Sequence, residues 1–179
     1  MQLNPFTPLQ TTRLLLRRIK PTDWERILFL RSDEVVNQFI FRPPNRQTKT
    51  KADALLFIQK IDAGIENNDF ISWGITLGNN PEIIGTICFW NFSEDQKTTE
   101  LGYDLDPAFH QKGIMSEALE AVMAYGFQRL DLHKIEAFTH FQNEGSRKLL
   151  EKNGFSWMKD KVDERMKTNV IYERVQGKK

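Results

Sequence analysis

The chain has 179 residues, 40 % of them apolar and 27 % charged, enough to close a core and too balanced for a disordered or fibrous chain. Its 25 Lys and Arg against 24 Asp and Glu leave a net charge of +1, without the excess of one sign that a dedicated nucleic-acid binder carries. A single cysteine, Cys88, excludes an intramolecular disulfide and a cysteine-based zinc cluster, and His110, His133 and His140 are too scattered to suggest a metal site.

Residues 1–10 (MQLNPFTPLQ) have neither a basic start nor an apolar run, and no stretch nears the roughly 20 apolar residues of a membrane span. A soluble, cytoplasmic protein of one domain over residues 1–179 is expected, with no membrane partner. Residues 13–19 (RLLLRRI) read as a first strand ended by Lys20-Pro21. Thr22 and Asp23 offer N-cap oxygens to a helix carrying Trp24, Ile27, Leu28 and Leu30. Pro43-Pro44 marks a loop, and a second helix is expected over residues 48–66 with Leu55, Leu56, Ile58 and Ile61 on its apolar stripe. Residues 1–60 hold 11 basic and 5 acidic side chains. Arg42, Arg46, Lys49 and Lys51 in that stretch read first as solvated faces, with attraction for an acidic partner or substrate surface as the alternative.

Residues 70–77, 82–92 and 97–105 are strand-like and separated by short turns, Gly78-Asn79-Asn80-Pro81 first among them. Connections this short make an antiparallel meander. Trp73, Phe89, Trp90 and Phe92 suit core packing or the wall of an acceptor cleft, and Cys88 reads as a small buried hydrophobe. Residues 113–130 are helical in pattern and residues 134–139 strand-like, a βαβ unit whose strands lie parallel. Residues 143–152 make a short helix with Asn143 as N-cap and Asn153-Gly154 as its stop; residues 155–159 and 168–175 supply two last strands. The sum is an α+β fold, a mixed and mostly antiparallel sheet of about six to seven strands flanked by helices.

Residues 109–117 (FHQKGIMSE) join a strand end to a helix start. Unpaired amides and a partial positive charge let such a helix start hold a phosphate, and Gly113 permits close backbone approach. The loop is neither a Walker A motif nor the three-glycine dinucleotide fingerprint, and no Gly-x-Ser-x-Gly elbow supports a hydrolase triad.

Four strings occur in a telling order: Arg13-Leu14-x-Leu16-Arg17 followed by Asp23; Glu100-Leu101-Gly102-Tyr103; His110 to Met115 leading into Ser116-Glu117-Ala118; and Asn143-x-x-Ser146-x-x-Leu149 with Asn153-Gly154-Phe155. Together they resemble the GNAT superfamily of acetyl-CoA-dependent N-acetyltransferases, and the first resembles its ribosomal-protein N-terminal branch. The resemblance implies a sheet splayed at the cofactor site. The pyrophosphate of acetyl-CoA would meet the amides of Gln111, Lys112, Gly113, Ile114, Met115 and Ser116, with His110 heading the loop. The pantetheine arm would pair with the strand ending near Leu105, opened by a bulge, and Asn143 would reach it with its amide. No metal is implied.

The chain also departs from that pattern. His110 stands where Gln or Arg is usual, Met115 where Gly or Ala is, and Gln111 where the branch has glycine, so Met115 is expected to add bulk beside the phosphate. Leu150 stands where many members carry an acidic tyrosine, and Ser146 is the implied replacement as proton donor. Glu100 is the candidate base, directly or through a water, or else a strand carboxylate facing solvent; backbone N–H groups at Tyr103 to Leu105 are the candidate oxyanion donors. The implied acceptor is a protein N-terminal α-amine. A polyamine, amino acid or aminoglycoside is the alternative, and a non-catalytic acyl-CoA-binding module the reading from another class. Either a monomer or a homodimer is compatible, and nucleic acid is not an expected partner.

Overall fold

The computed structural model describes residues 2–177. The chain begins with β1 (Leu9–Gln10), β2 (Leu14–Arg17), α1 (Trp24–Ser32) and α2 (Lys51–Glu66). A meander of β3 (Ile71–Leu77), β4 (Gly85–Trp90) and β5 (Thr98–Leu105) follows. Then come α3 (Ile114–Ala124), β6 (Lys134–His140), α4 (Glu144–Lys152), β7 (Ser156–Trp157) and β8 (Asn169–Val175). One sheet of eight strands results, in the order β1-β2-β3-β4-β5-β6-β8-β7. Every pairing is antiparallel except that of β5 with β6, whose connection through α3 is long enough for a parallel crossover. The two-residue strands β1 and β7 carry the sheet past the expected six or seven strands.

Local chemistry sets the helix starts. Thr50 Oγ1 accepts from Asp53 N while the Asp53 carboxylate accepts from Thr50 N, a reciprocal box that opens α2. That helix buries Ala54, Ile58, Ile61 and Ile65, at helical spacing, and leaves Leu56 52 % exposed, so the expected stripe is rotated away from residues 55 and 56. Asp23 does not cap α1 with its side chain as expected. Its carboxylate instead takes Arg17 in a two-pronged pair at 2.8 and 2.9 Å and the Lys20 amide at 2.7 Å, fastening β2 to the helix entry.

Side chains along β5 alternate between the two faces of the sheet. Leu101 and Tyr103 turn toward α3 and α4, over a core where Trp73 meets Phe89 and Tyr125 edge-on at 6.1 and 5.4 Å. Glu100 and Asp104 turn the other way, toward residues 163–165 and toward Arg42. The feature that positions a site is the parting of β5 from β6. They pair from Thr98↔Lys134 to Leu101↔Ala137 and no further, although both strands run on. The register of β5 with β4 is unbroken from Trp90↔Glu100 to Gly85↔Leu105, so the bulge expected to open this gap is absent. Beyond Leu101 each strand follows its other neighbour, β5 staying with β4 and β6 with β8, and the two part.

Candidate active site

The loop before α3 is shaped by two left-handed residues, Gln111 at φ 58° and Gly113 at φ 72°. Glycine adopts this conformation freely; a residue with a Cβ does so at a cost. That conformation explains the glycine expected at the Gln111 position. The helix's backbone ladder begins with Glu117 N to Gly113 O at 3.1 Å, so the amides of Ile114, Met115 and Ser116 have no acceptor within it. The side chains of Ile114 and Met115 are 3 % and 6 % exposed and belong to the core, which corrects the expectation that Met115 crowds the phosphate. Ser116 Oγ donates to Asn153 Oδ1 at 3.1 Å and ties α3 to the end of α4.

His110 and Lys112 contribute differently from their neighbours. The His110 amide bonds to Pro107 O at 3.1 Å, and its imidazole Nε2 lies 3.0 Å from Leu105 O, at the end of β5. Lys112 Nζ donates to Ala108 O at 2.8 Å. Sequence reasoning did not find the cation beside this loop, Arg13. Its Nη1 donates to Lys112 O at 3.0 Å and its Nε to Glu117 Oε2 at 2.6 Å, and its Nη2 lies 3.5 Å from where a Cβ on Gly113 would sit. Burial opposes the Glu117 charge, but bonds from Thr11 and Arg13 outweigh it and hold that carboxyl below its ordinary range. The residues between β1 and β2 thereby brace the first turn of α3 and add positive charge next to its free amides.

From this loop the exposed edge of β5 leads inward. Along Gly102–Leu105 the backbone groups that face β6 have no strand partner. Asn143 caps α4, its Oδ1 accepting from Ser146 N at 3.1 Å, while its Nδ2 bonds to no protein atom among the described residues. Ser146 Oγ shares a hydrogen bond of 2.8 Å with the Tyr103 hydroxyl. Burial pushes the Tyr103 phenol well above its ordinary value, and the bond to Ser146 offsets this only in part, so it is protonated throughout the neutral range. The phenol thus stands beside Ser146 from β5, whereas Leu150 on α4 is wholly buried.

Glu100 lies on the opposite face and is 5 % exposed, so it does not face solvent. Arg165 grips it with Nη1 at 3.0 Å and Nη2 at 3.1 Å, and Asn91 Nδ2 donates to it at 2.5 Å. The Arg165 guanidinium sits 4.7 Å from the Phe138 ring and 5.7 Å from that of Trp90, and buried Asp163 holds its backbone N–H at 2.9 Å. Nothing local in residues 158–168 announces this contact. Trp90 is 37 % exposed here, while Trp73 and Phe89 are core residues and Phe92 packs against the core from its edge. Burial pushes the Cys88 thiol up to about 12, so it is no nucleophile at neutral pH. Among the described residues no three His, Cys, Asp or Glu side chains gather as a metal site, and no helix is long and apolar enough to cross a membrane.

The arrangement therefore combines a helix start with free amides beside Arg13, an open strand edge, and a split in the sheet with a hydroxyl pair on one face and an enclosed carboxylate on the other. Residues 13–156 match the family model described as an acetyltransferase (GNAT) domain. An uncharacterised N-acetyltransferase of Bacillus subtilis, YoaA, is 34 % identical over 150 residues, which cover 84 % of this chain and 83 % of that protein. The ribosomal-protein-serine acetyltransferase of Escherichia coli is 34 % identical over 74 residues, 41 % of each chain. RimL, a ribosomal L7/L12 alpha-N-protein acetyltransferase solved in complex with coenzyme A, shares the fold with a TM-score of 0.80 at 20 % identity, over 94 % of this chain and 98 % of its own.

Proposed function

The chain belongs to the GNAT acetyltransferase family and is an N-acetyltransferase; on that premise we propose that it moves the acetyl group of acetyl-CoA onto a protein N-terminal α-amine. Acetyl-CoA supplies an activated thioester, which an unprotonated amine attacks directly. The amides of Gln111 to Ser116, with Arg13 beside them, fit the pyrophosphate. The edge of β5 at Gly102–Leu105, which has no strand partner, fits the peptide-like pantetheine arm, with the free Nδ2 of Asn143 opposite. Backbone N–H groups on the open edge of β5 between Tyr103 and Leu105 serve as the oxyanion donors in this reading. Ser146 gives its proton to the departing sulfur, and Tyr103 stands in hydrogen-bond reach to replace it.

The observation that carries the choice of acceptor is the engagement of Glu100 by Arg165 and Asn91. A carboxylate so occupied orients an amine and takes its proton through a water rather than by strong direct abstraction. That suffices for an α-amine, with a reference pKa near ~8, far better than for an alkyl amine near ~10.4. Arg31, Arg42 and Arg165 on this face also disfavour polycationic acceptors. The names of the Escherichia coli relative and of RimL support the same reading. Thiol release from acetyl-CoA, measured against N-terminal octapeptides, free amino acids, spermidine and an aminoglycoside, tests it. Turnover is expected with the peptides. Turnover confined to the small amines would overturn it, and CoA binding without turnover of any acceptor would favour the non-catalytic module.

A further inference from the structure

The face of β5 turned away from Ser146 carries a charge imbalance that acetyl transfer does not explain. Thr86 donates to the Asp104 carboxylate twice, from N at 3.0 Å and from Oγ1 at 2.8 Å, and Arg42 Nη2 lies 3.8 Å from it. Arg31 adds a second cation to the group, its own donors directed to Thr48 Oγ1 at 2.8 Å and Arg46 O at 2.9 Å and its guanidinium 3.6 Å from the Phe57 ring centre. Burial, then the neighbouring Arg42 charge, push Arg31 down to about 10. Two enclosed arginines therefore share one carboxylate.

Arg42 is the member left incomplete. Its side chain is 13 % exposed, and its Nε is screened from solvent without any hydrogen-bond partner among the described residues. A buried guanidinium N–H without an acceptor is destabilising, and such orphans call for an explanation. Nε itself is enclosed, so an outside carboxylate would meet Arg42 through the part of its side chain that stays exposed, and the residues just before it in the chain line a cavity. Phe39, Ile40, Phe41 and Met166 form the apolar side of this cavity of about 480 Å³, which polar residues, His140 and Thr168 among them, also line. His140 ends β6, past the point where β5 and β6 part, so the cavity opens beside the split. Asp104 lies three residues, about 10 Å, along β5 from the last paired position, Leu101. An acidic side chain on the second or third residue of an extended peptide spans that distance from its α-amine.

We propose that Arg42 binds a carboxylate of the acceptor, so that the enzyme prefers polypeptides with Asp or Glu at the second or third position, an adjoining apolar side chain entering the cavity beside His140. The inference rests on the N-terminal α-amine reading and names the acceptor class within it. The basic surplus around Arg42 supplies the charge complement of that acceptor.

The test uses the full chain loaded with CoA and matched octapeptides that differ only in Asp, Asn or Lys at positions two and three. By calorimetric titration, the Asp peptides are expected to bind about tenfold tighter than the Asn peptides, the scale of one charge-assisted hydrogen bond, and the Lys peptides weakest. Arg42→Gln should bring the Asp and Asn peptides to equal affinity. Equal affinity in the wild type, or an Asp preference that survives Arg42→Gln, overturns the proposal; should that variant not fold, the wild-type ratio decides alone. Free aspartate and glutamate form the second arm. If they occupy the site and the peptides do not, the carboxylate anchor stands and the N-terminal reading falls. Peptides that bind and are acetylated without regard to charge leave that reading standing and remove the anchor.

Discussion

At the scale of single residues, the chemistry divides between the two faces of one strand. Tyr103 and Glu100 are three positions apart on β5 and point to opposite sides, so in the proposed reaction proton delivery to the thiol and handling of the amine are separated by the thickness of the sheet. Ser146→Ala is expected to lower kcat about 10²-fold with little change in the KM for acetyl-CoA, and Tyr103→Phe roughly tenfold. Steady-state kinetics on both decide it; a Tyr103→Phe enzyme with wild-type kcat removes the relay. The raised pKa of Tyr103 has a sign that can be checked by pH profile. The acidic limb of kcat/KM should follow deprotonation of an α-amine near ~8, and no alkaline fall should appear below ~10, because the buried phenol keeps its proton beyond its ordinary value. Neither the Tyr103–Ser146 bond nor the Arg165–Glu100 pair was legible beforehand. Each joins residues 43 or 65 positions apart, and no local pattern reports a contact at that separation.

At the scale of elements, the start of α3 was the most legible part of the chain. Its proposed role rests on backbone amides, and a turn residue before a helical period shows where those amides are free. Gly113→Glu should weaken CoA binding by tenfold or more, since it adds a Cβ at φ 72° and a like charge against the pyrophosphate. Calorimetry with CoA measures this, and an unchanged dissociation constant would refute the cradle. Arg13 belongs to the same element through space: Arg13→Gln should weaken CoA binding several-fold and leave kcat with saturating acetyl-CoA unaltered, whereas an unmoved KM for acetyl-CoA removes Arg13 from the cradle. Helix faces were read less well. The stripe of α2 is rotated because its buried side is chosen by what it packs on, including the close fit of Gly64 against Phe70, and not by periodicity alone.

At the scale of the whole molecule, the split between β5 and β6 is held open by the two half-sheets that flank it. The half-sheet of β2 to β5 is anchored on Trp73, fully buried between Phe89 and Tyr125. Trp73→Ala should destabilise the fold by about 3–5 kcal/mol, a drop in Tm of roughly 10 °C by thermal melting. A Tm within two degrees of wild type would show that this cluster does not carry the half-sheet.

The sequence by itself determined the strands of the meander, the crossover that makes β5 and β6 parallel, and the turn that opens α3. All of these depend on local periodicity, turn residues and backbone amides, which neighbours in the chain specify. Tertiary structure alone decided how β5 parts from β6, for each strand keeps its pairing with its other neighbour and no local bulge in β5 is needed. It also decided the partners of Glu100, the core position of Met115 and the incomplete environment of Arg42. Those are properties of packing and of charges brought together from distant parts of the chain. An overall charge of +1 conceals them, because the total says nothing about which arginines the fold encloses beside a single carboxylate.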